Sequence, residues 1–192
     1  MWMYVTFSAR GFFMRMNNKH GFTLIELMVV IAIIGIMAAI AVPNIIAWLP
    51  NMRLKAAARD LYSNMQKARV EAVKRNVCIG ISFTTVVYPA TGGGYLGFVD
   101  DGVGGGTPCN GSKDGGEAAF FLPVSMPQDI SLVTANNIGG PSAVCLNAKG
   151  LVCGSQSGNV VLRNNHGRWY RVKVQASGFV QTQTSSNGTS WN

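Results

Sequence analysis

Between Phe22 and Val42 the chain carries 21 residues with a single ionisable side chain, Glu26. As a helix this run is about 31 Å long at 1.5 Å per residue, enough to cross the hydrocarbon core of a bilayer. A segment that is apolar on every side has no use for water, so it must meet lipid or other helices. Glu26 is the exception inside it. An acid near the middle of such a helix costs about 2.5–3.5 kcal/mol on insertion scales, so its presence marks a function and asks for a partner. Arg10, Arg15 and Lys19 precede the run and no acid does. The positive-inside bias then keeps the first residues in the cytoplasm and puts the body of the chain across the membrane. The competing reading is a conventional signal peptide, with Ala38-Ala39-Ile40-Ala41 supplying the small residues of a cleavage site. That reading leaves Glu26 unexplained.

The junction ahead of the run reads Asn17-Asn18-Lys19-His20-Gly21-Phe22-Thr23-Leu24-Ile25-Glu26. It resembles the class III signal of type IV pilins and type II secretion pseudopilins. The resemblance implies that a prepilin peptidase, which is also the methyltransferase, cuts the Gly21–Phe22 bond and N-methylates Phe22. It also makes Glu26, the fifth residue after the cut, an assembly residue. Its natural partner in a filament is the amino group of Phe22 on a neighbouring subunit, and one axial register alone brings the two together. Buried ionic pairs of this kind are better credited with register than with net stability. Met1–Phe13 is too rich in Met and aromatics for such a leader. A start at Met16, or at Met14, gives a more typical one.

With 192 residues the chain suits one modest domain plus an anchor. The expected organisation is a leader over 1–21, a transmembrane helix over 22–49, a globular domain over 50–183 and a flexible tail over 184–192. The formal charge is +8, and removal of residues 1–21 takes away three positive charges and no negative ones, leaving +5. A basic body admits acidic partners: lipid headgroups, nucleic acid or acidic protein faces. Four cysteines, Cys78, Cys109, Cys145 and Cys153, lie in the part expected outside the cytoplasm. Two disulfides with three connectivities are open to them, and four partly buried free thiols are the alternative. Cys145 and Cys153 are the favoured pair, because Asn147-Ala148-Lys149-Gly150 between them reads as a tight turn. There is no CxxC pair, and His20 and His166 are far apart, so no metal or other cofactor is expected.

Pro43 and Pro50 should interrupt or kink the helix. Trp48 suits the membrane interface. From Asn51 to Arg75 the apolar residues Leu54, Ala58, Leu61, Met65, Ala68 and Ala72 recur at spacings of four and three, the stripe of an amphipathic helix. Arg53, Lys55, Arg59, Lys67, Arg69, Lys74 and Arg75 fill the rest, either as a solvated face or as a basic surface for acidic neighbours. After Arg75 the chain reads as strands: 77–83, 86–88, 95–99, 118–122, 130–134, 143–146, 159–163, 169–175 and 179–182. Asn164-Asn165-His166-Gly167 is a hairpin signal. The fold class is therefore α+β, a long N-terminal helix whose second half packs on an antiparallel sheet, as the pilin resemblance also implies.

Downstream segments resemble the GspH/FimT group of minor pseudopilins and minor pilins. They are Gly97–Gly102, Asp114–Glu117, Leu146–Gly150, Asn159–Leu162 with His166-Gly167, and Arg171–Ser177 followed by Gly178. The resemblance implies a minor subunit of a type II secretion pseudopilus or type IV pilus. Such a subunit sits in the inner membrane by one pass, its N-terminus cytoplasmic and its C-terminal domain periplasmic, and joins other subunits through the N-terminal helix. It supports assembly initiation and secretion. A DNA-binding minor pilin for uptake is the alternative, with Arg163, Arg171 and Lys173 as candidates. Nucleic acid is not favoured, since DNA-binding members carry basic residues after the last Gly and here Gly178-Phe179-Val180-Gln181 has none. Asp100, Asp101, Asp114 and Glu117 offer hard oxygens in a Gly-rich loop but not at EF-hand spacing, and a solvated turn is preferred. Gly104-Gly105-Gly106-Thr107 lacks the Lys and helix of a phosphate loop. No nucleophile–base set is legible, so no enzyme is expected.

Overall fold

The computed structural model describes residues 22–136, 143–155 and 157–192. The leader expected over 1–21, with Gly21, lies outside the described residues. The chain divides into two units, 1–43 and 44–192. Helix α1 (Leu24–Arg75) contributes to both. Pro43 and Pro50 do not interrupt it. Each lacks an N–H, which leaves the carbonyls of Ala39 and Ile46 without a helical donor, yet the helix runs on through both positions. In the head unit Pro50 is buried, and packing there offsets the lost bond.

The described residues of the first unit form no interior. Every residue from Phe22 to Pro43 is exposed in the isolated chain. The second unit holds the whole core. The expected stripe Leu54, Ala58, Leu61, Met65, Ala68 and Ala72 is buried, joined by Ala57. It packs on strands β1 (Ile79–Thr84), β2 (Gly94–Val99), β3 (Ala119–Ser125), β4 (Ile130–Asn136), β5 (Ala143–Leu146), β6 (Gly158–Asn164), β7 (Trp169–Val174) and β8 (Val180–Ser185). Burying one stripe of a helix against the apolar faces of strands is what gives a small α+β head its stability.

The strands form two sheets rather than one. Their orders are β3-β2-β1-β5 and β4-β6-β7-β8, every neighbouring pair antiparallel. The chain leaves the first sheet after β3, because β4 takes β6 as its ladder partner, and returns to it once, with β5 beside β1. Gly92 bridges the sheets: its N–H donates to Ile130 O at 2.8 Å and its carbonyl accepts from Leu132 N at 3.0 Å. Val86–Tyr88, expected as a strand, is not one. The Ala90 N–H returns to Val87 O, so the chain turns there before a ladder can form. Nor does the chain end hang free from Thr184. Thr184 and Ser185 complete β8, and Thr184 and Asn192 exchange backbone hydrogen bonds at 2.9 and 3.1 Å.

Alternation along β1 sends Ile79, Ile81 and Phe83 into the helix-facing core and Gly80 to the opposite side. Gly80 pairs with Phe98 on β2 and with Cys145 on β5. A Cβ on Gly80 would fall inside the Phe98 ring, so glycine is what lets that ring lie flat across the strand. Phe98 and Cys145 are both fully buried on this outer side, a small second cluster under the loop that follows β2.

Candidate functional site

The N-terminal residues form a helix start with a defined chemistry. Thr23 precedes α1, and its Oγ1 accepts the Glu26 N–H at 3.2 Å while its carbonyl accepts the Leu27 N–H. That is the Thr half of a capping box, Thr-x-x-Glu. Glu26 thus stands in the first turn, where the helix dipole favours a carboxylate. From Leu27 to Val42 the helix is apolar all round. Phe22 is 81% exposed and Ile40 73%. A surface of this kind has no stable place in water, and it is available to lipid or to other helices.

The basic hairpin face is assembled but occupied. Register places Arg163 opposite Trp169, Arg171 opposite Val161 and Gln183, and Lys173 opposite Asn159 and Gln181, all on one side of the second sheet. The Arg163 guanidinium lies 3.5 Å from the centre of the Tyr88 ring and 4.5 Å from that of Trp169. Arg171 stacks on Trp191 at 4.3 Å and donates through Nε and Nη2 to Gln183 Oε1. Two of the three cations are therefore held flat against aromatic faces, an arrangement stabilised by ring quadrupoles.

The acidic loop is not a solvated turn. Asp100 and Glu117 are 1% and 4% exposed. Asp100 Oδ2 accepts the Gly111 N–H at 2.7 Å, and Glu117 accepts the N–H groups of Gly102 and Asp114. These carboxylates serve as internal caps for a loop without a ladder of its own. The same loop is tied down by a Cys78–Cys109 disulfide, and a second disulfide joins Cys145 to Cys153. The turn expected between the latter two is built on Asn147, whose Oδ1 accepts from Lys149 N and Leu151 N.

Arg69 is the residue that sequence reasoning passed over. Its Nε donates to Gly150 O at 3.0 Å and its Nη2 to Ser177 O at 3.2 Å. Gly150 and Gly178 both have positive φ, 72° and 73°, and they pack backbone to backbone. A Cβ on Gly178 would overlap the Gly150 carbonyl. Two short segments nearly thirty residues apart in sequence thus meet over one guanidinium. The only trace of this in the sequence is that Arg69 directly follows the core residue Ala68 at the edge of the stripe.

The described residues thus comprise a membrane-length apolar helix with a capped acidic start and an α+β head in which an arginine closes two glycine turns. Residues 57–178 match the profile of the family described as "Type II transport protein GspH", and residues 16–42 match the prokaryotic N-terminal methylation motif. The chain belongs to the GspH family, whose members are non-enzymatic pilin and pseudopilin subunits. Among curated proteins it is 39% identical over 84 residues to the pilin-like protein PilA1 of Thermus thermophilus, covering 43% of this chain and 49% of that one. It is 32% identical over 102 residues to the type II secretion system core protein G of Pseudomonas aeruginosa, covering 53% and 65%. The match thus spans about half the length of the first relative and just under two thirds of the second. The crystal structure of the type IV minor pilin FimU of Pseudomonas aeruginosa covers 72% of this chain and 97% of its own, at 17% identity and a TM-score of 0.43.

Proposed function

We propose that this chain is a minor pilin-like subunit that enters a type II secretion pseudopilus or a type IV pilus and supports its assembly. In this reading the prepilin peptidase cuts Gly21–Phe22 and methylates the Phe22 amine. Residues 22–49 anchor the product in the inner membrane with the N-terminus cytoplasmic and the head periplasmic. Extraction into the filament then exchanges lipid contacts for contacts with other subunits' apolar helices. The observation that carries the reading is the fully exposed apolar helix with one carboxylate, Glu26, in its first turn. A neighbour's Phe22 amino group neutralises that carboxylate in a single register, so the pair selects the stagger between helices. DNA capture has less support, since Arg163 and Arg171 are already stacked on rings.

The test is a Glu26→Leu substitution in the full chain. Processing depends on Gly21 and the leader, so the mature form should still begin at Phe22 with a methylated amine by N-terminal mass spectrometry. Incorporation into sheared filaments should drop severely. Equal incorporation of both forms would remove Glu26 from assembly, and a mature terminus near Ala41 would replace the whole reading with a conventional signal peptide.

A further inference from the structure

A cavity of about 300 Å³ opens in the head unit where α1 meets the β6–β7 hairpin. From α1 come Trp48, Asn51 and Lys55, at spacings of three and four residues and so on one helix face. From the hairpin come Arg168, Trp169 and Tyr170. Two cations and three aromatic side chains line the cavity, and among the described residues no acid does. Asn164 fixes its walls. It is 1% exposed, and its carboxamide is used at both ends. Oδ1 accepts the N–H groups of Arg168 at 2.8 Å and His166 at 3.2 Å, and Nδ2 donates to Asn51 Oδ1 at 2.7 Å. With its oxygen engaged, Asn51 keeps its own amide N–H groups as uncommitted donors among the described residues.

Lys55 and Arg168 are exposed, and neither is in an ion pair among the described residues. The acid beside the same hairpin, Asp129, is committed to Arg53 and Asn165 at 3.0 and 3.2 Å. The cavity therefore carries positive charge and spare N–H donors, the chemistry of a phosphate receptor. Its place along α1 says which phosphate. Trp48 lies six residues beyond Val42, the end of the charge-free run. Ile45, Ile46 and Trp48 continue that exposed apolar surface to the turn at which the cavity begins. An exposed Trp at the end of an apolar helix marks the interfacial layer, where lipid phosphates lie.

We infer that this cavity binds the phosphate headgroup of an anionic phospholipid, with Lys55, Arg168 and the Asn51 amide on the phosphate and Trp48 among the lipid's first carbons. The inference rests on the membrane-anchored reading given above and adds a lipid ligand to it. A bound headgroup ties the head to the bilayer surface until the subunit is drawn into a filament.

The experiment uses the full chain purified from membranes in a nonionic detergent. Native mass spectrometry counts the lipid it retains from an equimolar mixture of phosphatidylglycerol and phosphatidylcholine. Wild type should retain the anionic lipid over the zwitterionic one by about tenfold, and the pair Lys55→Gln, Arg168→Gln should abolish the preference. The pair Lys67→Gln, Lys113→Gln removes as much charge elsewhere on the head and should leave the preference in place. All four side chains are exposed, and an unchanged melting temperature shows that each variant folds. Equal loss in both variants would reduce the effect to net charge and overturn the inference, as would no preference in wild type. Glycerol phosphate at the lipid's concentration should fail to displace it. Displacement would assign the cavity to a free phosphate, and displacement by a polyglutamate peptide would assign it to an acidic protein segment; either overturns the lipid site. Membrane fractionation and the N-terminal mass are scored apart. A product cut near Ala41 and released from the membrane would sink the anchored reading, whereas an anchored chain without lipid preference would sink the headgroup site alone.

Discussion

The Arg69 guanidinium joins the carbonyl of Gly150, 3.0 Å from its Nε, to that of Ser177, 3.2 Å from its Nη2. Helix, β5–β6 turn and β7–β8 hairpin are thereby held at one point. Charge-assisted bonds to carbonyls that are otherwise half-sheltered are the strong ones.

Replacing Arg69 with Ala should lower the stability of the head by about 1–3 kcal/mol, the range for losing hydrogen bonds to a charged group. Gly178→Ala should cost at least as much, since its Cβ meets the Gly150 carbonyl and its φ is left-handed. Thermal unfolding of the full chain in detergent checks both. A Gly178→Ala protein as stable as wild type would dismiss the close turn-to-turn packing.

Tyr95 makes stability depend on alkaline pH. Burial raises its pKa above the ordinary 10.0; the hydrogen bond from Asn64 lowers it by less, and the nearby Asp60 adds a still smaller push upward. The fold thus holds the neutral phenol, and the native state keeps its proton where the unfolded chain has lost it. The contribution is complete below pH 10 and is lost as pH rises from there through the native pKa. Tyr95→Phe should flatten this alkaline loss and should cost about 1 kcal/mol at neutral pH, because Asn64 Nδ2 loses its 2.9 Å acceptor. Melting temperature against pH for the two proteins decides it.

Cys109→Ser should release the loop after β2. The Cys78–Cys109 bond spans 31 residues, a closure worth about 2–4 kcal/mol. With it gone, Asp100 and Glu117 remain as the main restraints. Limited proteolysis should move to residues 101–117 while the second sheet stays resistant. Cleavage spread evenly over the head would show the loop to be part of the global unit instead.

Duplex DNA should bind the full chain weakly at physiological salt, and Arg171→Ala should change that affinity less than twofold, because Gln183 and Trp191 already hold the side chain. Retardation assays across a salt series read it. Tight binding abolished by the substitution would promote the uptake reading over the assembly one.

The amino-acid order by itself determined the anchor, the acid in its first turn, the core stripe of α1 and most strands. Each of these is a one-dimensional pattern: a run without charge, a period of 3.6, or an alternation of two. The hairpin at Asn164–Gly167 was legible for the same reason, and the Cys145–Cys153 link followed from a local turn. Only the tertiary structure decided what depends on residues far apart in sequence. It divided the strands into two sheets, because β4 found β6. It stacked Arg163 between Tyr88 and Trp169, which turns an apparent binding cation into a structural one. It buried Asp100 and Glu117 on backbone N–H groups that no spacing rule connects to them. And it gave Arg69, which reads in sequence as one more cation on a solvated helix face, the task of closing two glycine turns. Long-range partners satisfy such polar groups, and a side chain's partners at distance are set by packing, which period and composition do not encode.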